Sequence, residues 1–192
     1  MKLLHLDSSI NGAESASRTL SAAVVAQLTS ADPDIEVVYR DLAAEPVDHL
    51  TLATRVGDES NEMLAEFLSA DIVVIGAGLY NFTIPGQLKA WLDRILIAGR
   101  TFRYSAAGPE GLAGDKRVIV ALARGNVYSE GSPYAAFEHG ESLLRVTLGF
   151  IGITAPEFII AEGLAISPET RQAAFDGAME KARQLELRAI AR

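Results

Sequence analysis

The sequence predicts a three-layer, doubly wound α/β domain built on a five-stranded parallel sheet. Short aliphatic or β-branched runs alternate with segments of helical period along the whole chain. Two of those runs, DIVVIG at 71–76 and RVIVAL at 117–122, are apolar on both faces, as strands buried between layers of helices are. The 192 residues, 49% apolar and 22% charged, suffice for one ordinary domain and its core, so residues 1–192 are read as a single domain.

The elements follow in order. Residues 2–6 are a short apolar run closed by Asp-Ser-Ser, a buried strand leading into a loop. From Ser17 onward Leu20, Val24 and Leu28 recur at helical spacing, with Ala23 beside them. Residues 35–39 are β-branched and strand-like. Residues 43–59 are polar and contain Pro and Gly, a surface excursion. A helix over 62–69 carries Met63, Leu64, Phe67 and Leu68 on one face. After DIVVIG, Pro85 stands in a first helical turn ahead of Leu88, Trp91, Leu92, Ile95 and Leu96, and Gly99 stops that helix. Residues 101–104 make a short extension, followed by the loop SAAGPEGLAGD. RVIVAL, a helix over 138–148 and a strand over 157–161 come next. Ser167-Pro168-Glu169 starts the last helix, with a capping hydroxyl, a proline and a carboxylate at the positive end; that helix is expected to run toward Arg192. Five strands joined by right-handed crossovers commonly take the order 2-1-3-4-5, the flavodoxin-like arrangement.

Composition excludes several chemistries. The net charge of −8 repels polyanions, so nucleic acid is not expected as a partner. There is no cysteine, hence no thiol nucleophile, disulfide or iron–sulfur ligand. His5, His49 and His139 are far apart and lack zinc spacing, so no metal is expected. Redox chemistry here would need an organic cofactor. The N-terminal apolar run is too short for a signal peptide, and no run is long enough for a membrane span; a cytoplasmic protein is expected.

Ligands of this fold bind outside the carboxyl ends of the strands, where the strand order reverses. The loops after the first, third and fourth strands read SSINGAESAS, AGLYNFTIP and ARGNVYSEG. The first holds Ser8, Ser9, Ser15 and Ser17 with Asn11 and Gly12, and runs into a helix. One serine there would cap the helix; four hydroxyls in ten residues suit a phosphate beside the free N–H groups of a helix start. No basic residue precedes Arg18 in that loop, so neutral donors are expected to hold the phosphate. The second loop sets Leu79, Tyr80 and Phe82 around Asn81, a set that serves a flat heteroaromatic ring or packing at the sheet edge equally well. The third, Ala123-Arg124-Gly125-Asn126, lets backbone approach a ligand or makes a plain turn. Arg124 and His139 lie on this side and are expected to be solvent-exposed; His5, inside the first strand, is structural. No phosphate-loop or serine-hydrolase signature occurs. Gly76-Ala77-Gly78 imitates a dinucleotide fingerprint, but Asn81 stands at the third glycine position.

Together, LYNFTIPGQLKAWLDR, GRTFRYSAAGPEGL, LGFIGIT and AEG resemble the FMN-dependent NADH:azoreductase and quinone reductase family, over nearly the whole chain. The resemblance implies a homodimer with one FMN per subunit. Such a protein takes hydride from NADH or NADPH and reduces quinones and azo compounds by ping-pong two-electron transfer, with no side-chain nucleophile or metal. Carried over by residue, the phosphate contacts fall on Ser9, Ser15, Ala16 and Ser17. The ring contacts fall on Leu79, Tyr80, Asn81 and Phe82 along one edge and on Ala123, Arg124, Gly125 and Asn126 along the other. Gly125 and Asn126 are the candidates for steadying charge on the reduced ring. Tyr104 and Phe150 are candidates for the substrate face, or else packing residues. Family members often carry Met at the place of Leu79 and Ser-Arg-Gly-Gly at 123–126. The stretch between Val47 and Asn61 looks shorter than theirs, which bears on substrate scope more than on flavin binding. A one-electron flavodoxin-type carrier is the alternative, though its phosphate loop is usually shorter and Thr-rich. A receiver domain would need an Asp where Gly76-Ala77-Gly78 stands. A flavin-free interaction protein would stay colourless with FMN.

Overall fold

The structure, a computed structural model, describes residues 1–52 and 62–187. Its large sheet holds β1 (Lys2–Asp7), β2 (Glu36–Asp41), β3 (Ile72–Gly78), β6 (Arg117–Ala123) and β7 (Glu157–Ala161), all parallel, in the order β2-β1-β3-β6-β7. Five α-helices stand among the described residues: α1 (Ala16–Ala31), α2 (Glu62–Ser69), α3 (Gly86–Ile95), α4 (Glu141–Phe150) and α5 (Pro168–Arg183). Parallel strands require such crossovers, because a hairpin cannot return a strand in the same direction.

DIVVIG does lie mid-sheet, as β3, and every residue of that strand is buried. The sheet is covered on both faces. On one, Leu4, Leu6, Val73, Ile75, Val120 and Leu122 pack with Phe67 of α2, Leu88, Trp91 and Ile95 of α3 and Leu144 and Leu148 of α4. On the other, Leu3, Ile72, Val74 and Ile119 meet Leu20, Val24 and Leu28 of α1 and Ala178 and Ala182 of α5. Each fully buried aliphatic side chain contributes about 1.5–3 kcal/mol relative to exposure, so these two clusters dominate the stabilisation.

Three sequence expectations are corrected. The extension at 101–104 is one half of a ribbon: β4 (Phe102–Ser105) pairs antiparallel with β5 (Gly108–Gly111), inside the stretch read as a loop. Glycine hides this strand in the sequence yet makes it possible, since a Cβ on Gly111 would collide with the backbone of Ile151 and Gly152. The helix expected over 138–148 spans Glu141–Phe150 instead. Glu138 lies ahead of it and caps it, its carboxylate accepting from the N–H groups of Gly140 (2.9 Å), Glu141 (2.7 Å) and Ser142 (3.1 Å). The last helix ends at Arg183 and does not continue through 184–187, which the Gln27 amide ties down at the Leu185 carbonyl (3.2 Å) and Arg117 at the Glu186 carbonyl (2.8 Å). The excursion at 43–59 and the shortened stretch at 47–61 fall partly, and the end of the chain wholly, outside the described residues. Among the described residues no helix is long and apolar enough to cross a membrane, and no His/Cys/Asp/Glu group could hold a metal ion.

Candidate functional site

Because β1, β3, β6 and β7 are parallel, their following turns gather at one edge of the sheet. Backbone bonds carry the ladder past the strand ends: Ser8 N–H to the Gly76 carbonyl (3.1 Å), Leu79 N–H to Ala123 (2.8 Å) and Arg124 N–H to Ala161 (2.8 Å). The order reverses between β1 and β3, so the serine turn and the LYNF turn stand on either side of the switch point.

The two turns are joined directly. The Ser9 hydroxyl meets the Tyr80 hydroxyl at 2.8 Å. Ser15 caps α1, accepting from the Arg18 N–H at 3.3 Å, and its hydroxyl lies 3.1 Å from that of Ser17. The N–H groups of Ala16 and Ser17 precede the first intrahelical bond of α1 and point from its positive end. Ser8 differs from the others: its hydroxyl donates to the Gly76 carbonyl (2.8 Å) and stitches β1 to β3. The LYNF turn is closed by paired bonds between Tyr80 and Thr83 (2.8 and 3.1 Å), with Asn81 at φ 47° and Phe82 at φ 74°. Asn tolerates that region; for Phe it stores strain, which is common beside ligand sites. The Phe82 ring, 48% exposed, stacks on Phe137 at 5.4 Å.

A cleft of about 230 Å³ opens between these turns. Ser9, Ser15, Ala16 and Ser17 border it from one side, Leu79 and Tyr80 from a second, and Ala123, Arg124 and Gly125 from a third. The structure thus brings nine of the twelve expected cofactor contacts to one hollow. Asn81, Phe82 and Asn126 are not among its lining residues. The Asn126 side-chain carbonyl is turned back to the N–H of Val127 (2.9 Å). Tyr104 and Phe150 are not among the cleft's lining residues either; both pack on Phe102, with ring centres 5.6 and 4.7 Å from it, and Tyr104 is 73% exposed on the ribbon.

Arg124 departs from the expected solvent exposure. It is 2% exposed rather than solvated. Its guanidinium is held by Glu141 (2.7 Å), Glu138 (3.3 Å) and Glu162 (3.5 Å), because β6 feeds its side chain toward the start of α4 and the end of β7. Only its backbone belongs to the turn. His139 is exposed as expected, and its carbonyl accepts from the Thr83 hydroxyl (3.2 Å).

Behind the serine turn runs a polar chain that is buried at His5, Asp7 and Ser21 and reaches the surface at Tyr39. Arg18 grips Asp41 with two nitrogens (both 2.7 Å) and reaches the Ser9 carbonyl with two (3.1 and 2.8 Å). The hydrogen bond from Arg18 holds the Asp41 carboxyl below its ordinary range and raises the guanidinium in return. Asp7 accepts from Ser21 (2.8 Å) and Tyr39 (3.1 Å), and Ser21 meets His5 at 3.0 Å, the structural place expected for that histidine. Burial, then the charge of Asp7, pushes the Tyr39 phenol upward.

A family model described as a flavodoxin-like fold matches residues 1–185. An FMN-dependent NADH:quinone oxidoreductase of Methylorubrum populi is 53% identical over 201 residues, 97% of this chain and 99% of that one. One from Xanthomonas campestris pv. campestris is 56% identical over 190 residues, 90% and 93% of the two chains. The chain belongs to this flavodoxin-like family of FMN-dependent NADH:quinone oxidoreductases. Among solved structures, azoreductase AzrA superposes with a TM-score of 0.88 at 32% identity, covering 96% of this chain and 98% of that one. An FMN-dependent NADH-azoreductase from Bacillus anthracis str. Ames Ancestor, in complex with FMN, gives 0.82 at 26% identity, covering 94% and 97%.

For a member of this family, the donor set fits an FMN phosphate and ring: hydroxyls and a helix start on one side, small and backbone-rich turns on the other. Asn11, named with the serine loop, also lines the cleft; sequence reasoning missed Glu14, Leu164, Ala165 and Arg171, which line it too. The last three follow β7, whose turn folds back under the ARGN turn through Leu164 N–H to Arg124 O (3.1 Å) and Ala165 N–H to Gly125 O (2.7 Å). The AEG motif was the available signal, but its place beside the serine turn depends on packing of α5 against α1.

Proposed function

We propose that this enzyme holds FMN in the cleft between the serine, Leu79–Tyr80 and Ala123–Gly125 turns and reduces quinones and azo compounds at the expense of NADH or NADPH. The observation that carries this reading is the hydroxyl contact of Ser9 with Tyr80 at 2.8 Å, which fixes the hydroxyl-rich turn and the aromatic turn on one cleft. Ser9, Ser15 and Ser17 with the start of α1 would hold the phosphate; the backbone of Leu79, Tyr80, Ala123 and Gly125 would hold the ring. Asn81 and Phe82, at the mouth of the same turn, and Asn126 would reach the ring only from its rim. Bound FMN supplies the two-electron redox centre that the side chains lack. The protein's part is to bind, to orient and to exclude water from the ring.

One open face serving nucleotide and acceptor in turn would give ping-pong kinetics. We also propose a homodimer in the cytoplasm, on the family resemblance and on the exposed ladder of Phe82, Phe137 and Tyr134, whose rings touch in sequence. Light scattering tests the dimer. The test of the activity is steady-state oxidation of NADH and NADPH by FMN-loaded protein, with benzoquinone and methyl red as acceptors. Parallel lines in double-reciprocal plots are expected. Protein that stays colourless with FMN, or a flavin that neither nucleotide reduces, overturns the reading.

A further inference from the structure

We propose that Arg171 is the cationic partner of the cofactor's phosphate and sets a preference for phosphorylated over unphosphorylated flavin; this rests on the FMN reading above. Arg171 stands in the first turn of α5, whose start is fixed by the Ser167 hydroxyl accepting from the Thr170 N–H at 3.1 Å. It borders the cleft together with Ser15 and Ala16, and with the same two residues it borders an adjoining hollow of about 280 Å³. Its side chain therefore stands beside the start of α1, where the phosphate donors converge.

The charge state of the neighbourhood makes Arg171 the decisive cation. Arg18 is occupied by Asp41 and the Ser9 carbonyl, and Arg124 by three glutamates. Among the described residues no carboxylate pairs with Arg171, which uses one nitrogen on the Leu164 carbonyl at 3.3 Å. Glu14 borders both hollows. Without Arg171 a dianionic phosphate would meet neutral donors and one carboxylate, in a chain of net charge −8. A guanidinium with unused N–H groups answers that field and suits phosphate geometry.

The experiment is titration of the apo-protein with FMN and, separately, riboflavin, followed by flavin fluorescence, in wild type, Arg171→Gln, Arg171→Lys and Glu14→Gln. Glutamine keeps a donor for the Leu164 carbonyl and removes the charge. Arg171→Gln is expected to weaken FMN by about tenfold, a charge-assisted bond at a partly solvated site, while riboflavin changes by less than about twofold. Arg171→Lys should recover part of the loss, Glu14→Gln should tighten FMN, and added salt should weaken FMN less in Arg171→Gln than in wild type. Equal losses for both flavins would make Arg171 a prop for the Leu164 turn and overturn the proposal, as would no loss for either. Wild type that binds neither flavin removes the FMN reading itself; wild type that binds FMN no more tightly than Arg171→Gln removes the arginine alone.

Discussion

The contact between Ser9 and Tyr80 ties two turns 71 positions apart in the chain, so its removal should be felt by the ligand more than by the fold. Ser9→Ala and Tyr80→Phe are each expected to weaken FMN several-fold, with a coupling of about 1 kcal/mol in the double variant, read by flavin titration; additive effects would mean that the hydroxyls act separately. Gly76 is constrained from the other side. A Cβ there would run into the Asp7 carboxylate and stand 2.9 Å from the Ser21 hydroxyl. Gly76→Ala is therefore expected to cost about 1–3 kcal/mol in denaturant melts, as overpacking in a core does. The same glycine began the stretch that imitates a dinucleotide fingerprint. Its requirement is the buried Asp7–Ser21 pair, not a pyrophosphate.

Arg124 decides how β6, α4 and β7 meet, since its three carboxylate partners come from the cap of α4, its first turn and the end of β7. Arg124→Met would leave those carboxylates facing one another, and a loss of about 3 kcal/mol is expected in thermal unfolding; Glu141→Gln, which leaves two partners, should lose less. This trio also marks the limit of what the sequence could disclose. DIVVIG and RVIVAL were legible because a strand buried on both faces needs a continuous apolar run. The serine, LYNF and ARGN turns were legible as a group because a parallel sheet delivers them to one edge. The ribbon was not, because GPEG has turn composition and pairs only when Gly111 slides against Gly152. Nor was the burial of Arg124, since it depends on Glu138, Glu141 and Glu162, which lie 14 to 38 positions away. Arg171 was invisible for the same reason: it reaches the cleft only through the packing of α5 on α1.

Acid should act on the whole molecule through a few carboxyls. Asp41 titrates below its ordinary value of 3.8, chiefly through Arg18. Burial pushes Glu162 upward, but the Ser129 hydroxyl, the N–H groups of Tyr128 and Ser129 and the charge of Arg124 outweigh it and hold the group below its ordinary 4.5. Both are lowered on folding, so their stabilisation is complete above the unfolded values and is lost as pH falls through the folded ones. Melting temperature is expected to be insensitive to these groups above pH 4.5 and to drop below it, with the drop reduced in Asp41→Asn. A quinone is an electrophile as well as an oxidant, and commonly arylates thiols and amines. The walls of the cleft offer hydroxyls, amide, carboxylate, guanidinium and hydrocarbon, with no lysine or histidine among them, and the chain has no cysteine at all. Lys116 keeps its ammonium on the carbonyls of Leu68 (3.0 Å) and Ala70 (2.8 Å), at the far end of the sheet. Peptide mapping after prolonged turnover with benzoquinone should accordingly find no adducts on the residues that line the cleft, while exposed amines such as Lys2 and Lys89 stay open to attack.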